Sequence, residues 1–360
     1  MITIFTPSIA DEANTNAQNL TAKEIVARLP SEQFRVIMIR NGMPDPRIAA
    51  RPNTELLHWR RHGNTVYLLA RSLSLAPNVY FFPREGPLDL WFVRLRRKLQ
   101  LRTALVTYVV ATVDKGASSA VARSIMEADA VFGNSRYVAQ TISQRFGVQA
   151  GTIHSGINRG VFFPKVGNSQ PRPEIGLVVL YAGSFQARKR VHLFIKEAAR
   201  WPQVQFRLVG RGELEPSCRS LAGELGCQNV TFVGHLLPGQ LAEEMRQADV
   251  FLFPSVIEGH PQVLGQAAAC GLPCVAMNVY HPDYVVNGKT GFLVESDEEL
   301  TQKLDLLLRD FTLRQSMSAA AVQHAREFDW DRVTEQWQQV FQRVTQERQR
   351  RLYVRDLRHL

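Results

Sequence analysis

Short apolar runs recur along the chain, separated by stretches in which apolar residues return every three or four positions. The first pattern suits strands buried on both faces, the second amphipathic helices. Ile2 to Phe5 is predicted as a strand, Thr6 to Asn14 as a polar loop, and Thr15 to Leu29 as a helix with apolar Leu20, Ile25 and Val26. Strands are predicted at Phe34 to Ile39, Thr65 to Leu69, Val79 to Phe82, Ala104 to Ala111 and Asp129 to Gly133. Helices are predicted at Leu88 to Arg102 and Arg136 to Phe146. After Lys165 to Glu174, a polar stretch with prolines that reads as a linker, the alternation resumes. Strands are predicted at Leu177 to Ala182, Gln205 to Val209, Val230 to Val233, Val250 to Phe253 and Cys274 to Met277. Helices are predicted at Val191 to Arg200, Gln262 to Cys270, Leu300 to Leu308, Leu313 to Glu327 and across FDWDRVTEQWQQVFQRV. The basic tail Glu347 to Leu360 is expected to be poorly ordered. Strand and helix in turn predict the α/β class, with doubly wound parallel sheets. The expected domains are 1–164, a linker at 165–174, 175–330, and a last helix with its tail at 331–360.

The stretch VFLFPSVIEGHPQVLGQAAACGLPCVAM, Val250 to Met277, carries the most chemistry. It reads as strand, loop, helix, turn, strand. Pro261 suits the first helical position, where its missing N–H is harmless, and Gly271 suits the C-terminal cap, with Pro273 beyond it. A loop at the carboxyl end of a parallel strand, feeding a helix N-terminus, favours an anionic ligand. Glu258 stands just before that N-terminus, beside the anion. That suits a phosphate joined to a polyhydroxyl group, as in a nucleotide sugar. A carboxylate there also serves as a helix cap or a solvated group, so the loop alone leaves both readings open. Three consecutive cations, Arg188, Lys189 and Arg190, precede the helix at Val191. Cations at a helix N-terminus oppose its dipole, and a bound diphosphate reverses that sign. A basic solvated turn is the other reading. Asn14, Thr15 and Asn16, after the first strand, are candidates for hydrogen bonds to phosphate or sugar.

The pattern PSxxEGxPxVxxxAxAxGxPxVA resembles the retaining glycosyltransferases of family 4, also called glycosyl transferases group 1. The stretches ADAVFGNSRYVAQTISQRFGV, IHSGINRGVFFP, VTFVGHLLPGQLAEEMRQADVFLFPS and YVVNGKTGFLV extend the resemblance over most of the chain. It implies the GT-B fold: two Rossmann-like doubly wound domains facing across a cleft, with the final helix crossing back to the first domain. It implies transfer of a sugar from a nucleotide-diphosphate sugar, with retention and no metal or other cofactor. The donor would lie on the second domain and a glycan, lipid-linked or small-molecule acceptor on the first. Glu258 would bind the sugar hydroxyls and stabilise positive charge on the ring. Lys189 and the amides of Gln262 and Val263 would take the diphosphate, with Gly259, His260 and Pro261 lining the donor. Gly210 and His235 stand at strand ends that hold the base in the family.

Several positions depart from the family. Its signature pairs two glutamates eight positions apart, and the second position here is Gln266, facing the ribose. Ser184 stands where an arginine would accompany the lysine, unless Arg188 substitutes. Thr112, Val113 and Asp114 stand where many relatives carry a sugar-contacting histidine, and the glycine pair after the first strand is absent. A nucleotide-sugar binding protein on a degraded site is therefore the alternative expectation, and a sugar-nucleotide epimerase a third.

Composition narrows the rest. The 360 residues suffice for two domains, and 45% hydrophobic with 21% charged residues describes a globular chain. A net charge of +10 favours anionic partners, and no recognised motif points to nucleic acid. Cys218, Cys227, Cys270 and Cys274 lack metal-ligand spacing with histidines and read as reduced thiols. No run of about 18 apolar residues predicts a spanning helix, and the N-terminus does not read as a signal peptide. A cytoplasmic protein is expected. Leu88 to Arg102 mixes Trp91, Phe92, Leu95 and Leu99 with five cations. It reads either as a core-packing helix with a basic outer face or as a helix lying on anionic membrane.

Overall fold

The computed structural model describes residues 1–13, 16–59, 64–83, 86–110, 119–165 and 176–357. Two compact units divide the chain: Met1–Ser155 with Trp330–Leu360, and Gly156–Asp329.

The first unit is built on strands β1 (Ile2–Ile9), β2 (Phe34–Arg40), β3 (Thr54–His58), β4 (Val79–Phe81), β5 (Ala104–Val109), β6 (Ala130–Gly133) and β7 (Ala150–Thr152). They form one seven-stranded sheet in the order β3-β2-β1-β4-β5-β6-β7, with every pairing parallel. The order reverses between β1 and β4, as in a doubly wound sheet. The helix Trp330–Leu357 returns to this unit. Its Trp337 is wholly buried and packs 4.8 Å from the rings of both Phe81 and Tyr108.

The second unit carries β8 (Val178–Ala182), β9 (Gln205–Val209), β10 (Val230–Gly234), β11 (Val250–Phe253), β12 (Cys274–Met277) and β13 (Gly291–Val294). These form a parallel six-stranded sheet in the order β10-β9-β8-β11-β12-β13, reversing between β8 and β11. VFLF of β11 and CVAM of β12 are buried throughout, as expected of inner strands covered on both faces. The expected α/β architecture of two Rossmann-like domains is observed.

The structure corrects several element assignments. Thr65 to Leu69 is helical, within Asn64–Ser74, and not a strand. Its β-branched and aromatic residues suggested an extended run, but burial falls on Leu68 and Ser72, four apart on one helix face. The unpredicted β3 is a short edge strand whose Glu55 pairs with Arg35 and Arg71. β1 runs on to Ile9, into the expected loop, with Thr6 and Ser8 buried across a break in register between Phe5 and Ile9. The tail does not fray at Glu347, since the last helix continues to Leu357.

The chain passes between units at Ser155–Gly156, earlier than the expected linker at 165–174, of which residues 166–174 lie outside the described ones. Ile157 explains the difference. Its N–H donates to Phe328 O at 2.7 Å, which ties the segment to the second unit. Among the described residues, no helix is long and apolar enough to cross a membrane.

Candidate functional site

The carboxyl ends of β8 and β11 meet at the switch point of the second sheet, and the candidate residues gather there. Val250 pairs with Val179 and Phe251 with Leu180, so the loops following the two strands emerge side by side. Backbone and side chain then join them. Val256 N–H donates to Arg188 O at 3.0 Å, and the Ser255 hydroxyl reaches the same carbonyl at 3.3 Å. The first loop ends in a single 3₁₀ turn, Ala187–Lys189, and Arg190 adopts φ 50° before the helix Val191–Arg200 starts.

This geometry brings Glu258 and Lys189 together. The Lys189 ammonium lies 2.5 Å from Glu258 Oε1, and the Arg188 guanidinium reaches the same oxygen at 2.9 Å. The Ser255 hydroxyl donates to it at 2.6 Å. Arg188 also donates to Ile257 O at 2.8 Å. Lys189 sits 4.8 Å from the centre of the Phe253 ring, a cation–π contact. Burial lowers the Lys189 pKa, and Glu258 partly opposes that shift. Of the three consecutive cations, Arg190 turns away and pairs with Asp297. Glu258 is thus neither a helix cap nor a free solvated carboxylate, and the turn at Arg188 and Lys189 is not merely a solvated one.

The helix beyond Glu258 spans Gln262–Ala269, starting at the predicted residue and ending one before the predicted Cys270. Pro261 is the residue before it, at φ −69° and ψ 100°, rather than its first member. The extended ψ explains this, because the first helical residue must already have helical dihedrals. Leu264 N–H bonds back to Pro261 O at 3.0 Å, so the amides of Gln262 and Val263 head the helix. Gln266 lies one turn further, half-buried. At Gly265 an added Cβ would come within 2.7 Å of Ile157 and the Tyr284 ring, so glycine permits this helix its close packing. Gly271, at φ 80°, follows the C-terminus as expected.

Other candidates are placed differently. The His260 imidazole is buried and stacked 3.9 Å from the Tyr284 ring, in the aromatic packing of the second unit. Gly210 meets a packing demand: at φ 130°, an added Cβ would stand 1.9 Å from Gly183 O. His235 is exposed after β10, Gly259 is half-buried, and the half-buried Ser184 accepts the Tyr181 hydroxyl on its carbonyl at 3.1 Å. Asn16 is the N-cap of the helix Ala17–Arg28, its side chain accepting Asn19 N–H at 2.9 Å. Asn14, Thr15 and Asp114 lie outside the described residues. Sequence reasoning missed the bond from Ser255 to Glu258, for which the three-residue spacing was a usable signal.

The family described as Glycosyl transferases group 1 matches residues 176–310, which hold Lys189, Glu258 and Gln266. A D-inositol 3-phosphate glycosyltransferase of Streptomyces avermitilis is 29% identical over 255 residues, 63% of this chain and 54% of that protein. A phosphatidyl-myo-inositol mannosyltransferase of Mycobacterium leprae is 32% identical over 181 residues, 48% of each. The chain spans about half the length of the curated relatives it matches. Among solved structures, HepE of Anabaena in complex with UDP gives a TM-score of 0.75 at 16% identity, covering 95% of this chain and 100% of that one. Sucrose-phosphate synthase of Thermosynechococcus elongatus gives 0.74 at 19% identity, covering 96% and 99%. The fold is GT-B. At these identities the structural likeness extends to the fold and no further.

Proposed function

We propose that the protein is a retaining, metal-independent glycosyltransferase that moves a sugar from a nucleotide-diphosphate sugar to a glycan, lipid-linked or small-molecule acceptor. The observation that carries this reading is the pair of cations on Glu258 at the switch point, beside a helix N-terminus. Arg188 and Lys189 suit a diphosphate, and with the amides of Gln262 and Val263 they stabilise the charge that develops on the leaving group. Arg188 supplies the second cation that Ser184 does not. Fixed protein cations perform the service that a metal ion performs elsewhere, which supports metal independence. Glu258, adjacent to both, accepts hydrogen bonds from the sugar and offsets positive charge on its ring. Gln266, one turn into the helix, faces the ribose. The names of the relatives support a hexosyl donor, and the UDP complex of HepE supports a nucleotide.

A nucleotide-sugar binding protein without transferase activity is the second reading, favoured by Ser184 and Gln266 at two departing positions. A thermal-shift panel of UDP, GDP and ADP sugars finds the donor. Ligand at about 100 times its dissociation constant adds roughly 2.7 kcal/mol of apparent stability. Release of nucleoside diphosphate that depends on added acceptor supports the transferase. Donor binding without such release supports the second reading.

We also propose peripheral contact with anionic membrane through the helix Pro87–Lys98. It leaves Trp91 exposed, as is Leu99 just past its end, and holds Arg94 over the Trp91 ring, while Leu88, Phe92 and Val93 are buried.

A further inference from the structure

We propose that the Tyr280 hydroxyl takes over the Glu258 carboxylate when a diphosphate occupies Arg188 and Lys189. This deepens the reading of the site given above and rests on it. Tyr280 follows β12, which pairs in register with β11, Phe253 opposite Ala276. The loop bearing Tyr280 therefore leaves the sheet beside the loop bearing Glu258. Tyr280 is 2% exposed, and its hydroxyl has no hydrogen-bond partner among the described residues. Burial first, and the nearby Glu258 charge second, push its pKa well above the ordinary tyrosine value, so the hydroxyl keeps its proton and remains a donor.

A buried donor left unpaired is unfavourable, and such groups in native proteins call for an explanation. In the unliganded site the Glu258 charge is already met by two cations. Glu258 Oε1 already accepts from Arg188, Lys189 and Ser255. A diphosphate on the two cations draws both away and leaves the carboxylate with Ser255 alone. An ionised carboxylate that loses its counter-charges then needs a donor; the buried Tyr181 hydroxyl, which also feels the Glu258 charge, is already given to Ser184 O, whereas Tyr280, on the loop beside that of Glu258, is buried and unspent. Pairing the two removes both unmet demands at once. It also holds Glu258 still while its remaining capacity meets the sugar. Tyr280 is accordingly a positioning residue, inactive in the empty site and engaged in the occupied one.

Tyr280→Phe tests this, because it removes the hydroxyl and keeps the ring. The measurements are the thermal midpoint of the unliganded full chain and calorimetric affinities for UDP, GDP and ADP and the matching nucleosides. The unliganded midpoint is expected to equal or exceed that of the wild type. Affinity for the diphosphate that the wild type binds is expected to fall at least fivefold, with nucleoside affinity unchanged. In a Glu258→Gln background, where no charge has to be handed over, the same substitution is expected to change diphosphate affinity less than twofold. Unchanged diphosphate affinity in Tyr280→Phe, with the wild type binding, overturns the handover and leaves the reading of the site standing. A lowered unliganded midpoint overturns it too, by showing the hydroxyl already engaged. A wild type that binds none of the three diphosphates overturns the site itself.

Discussion

At the scale of single residues, the chemistry turns on charges that share one carboxylate oxygen. Lys189→Ala is expected to weaken nucleoside diphosphate by ~1.5–3 kcal/mol, the range for a charged hydrogen bond, and to leave nucleoside affinity unchanged. Titration calorimetry with both ligands checks this, and unaltered diphosphate affinity would exclude Lys189 from the anion site. Its titration adds a pH dependence. Burial holds the unliganded Lys189 pKa below the ordinary value of 10.5, and a bound diphosphate raises it. Affinity is therefore fully present below the unliganded pKa and is lost as pH rises toward the liganded one. Measured against pH, the decline begins lower than an exposed lysine would give. Gln266 presents the opposite balance. Glutamate accepts from both ribose hydroxyls through charged oxygens, whereas glutamine offers one carbonyl and an amide. Glutamine also removes a negative charge near the diphosphate, a term of roughly 2 kcal/mol at 8 Å and an effective dielectric of about 20. The two effects nearly cancel, so Gln266→Glu is expected to change donor affinity by less than about tenfold. Transferase activity appearing only in Gln266→Glu would favour the binding-protein reading.

At the scale of elements, packing decides which glycines and helices serve the site. Gly210 combines φ 130° with a backbone neighbour 1.9 Å from where its Cβ would stand. Gly210→Ala is expected to cost about 2 kcal/mol or more of stability, read from the urea midpoint. A loss under about 0.5 kcal/mol would mean that the loop yields freely. The helix Pro87–Lys98 separates two kinds of arginine that the sequence does not distinguish. Arg97 is exposed, whereas Arg96 is buried, donates to Thr103 O at 2.8 Å and pairs with Asp129. Flotation with anionic vesicles is expected to show binding that falls with salt. Equal binding to neutral vesicles would remove the membrane contact. Legibility followed the same physics. VFLF and CVAM were readable as strands because burial on both faces leaves an unbroken apolar run. Thr54–His58 was not, because an edge strand carries charge on a half-exposed face. Glu258 and Lys189 were readable as site residues from their local contexts. Their mutual pairing was not, because it depends on β8 and β11 lying side by side with about 70 residues between the two loops. The idle hydroxyl of Tyr280 left no mark on the sequence pattern.

At the scale of the whole molecule, two parallel sheets with reversed strand order each offer a switch point, and among the described residues the second gathers paired charges of both signs from the candidate set. A net charge of +10 favours the approach of anionic donors throughout. The central claim is a division of labour, cations for the diphosphate and Glu258 for the sugar. Glu258→Ala tests it most directly, with acceptor-dependent turnover and nucleoside diphosphate affinity measured side by side on one preparation. The account predicts that turnover falls more than about a hundredfold, a loss of ~2.7 kcal/mol of transition-state stabilisation, while diphosphate affinity stays level or rises as the competing carboxylate disappears. An equal loss of both would contradict it and make Glu258 a structural counter-ion alone.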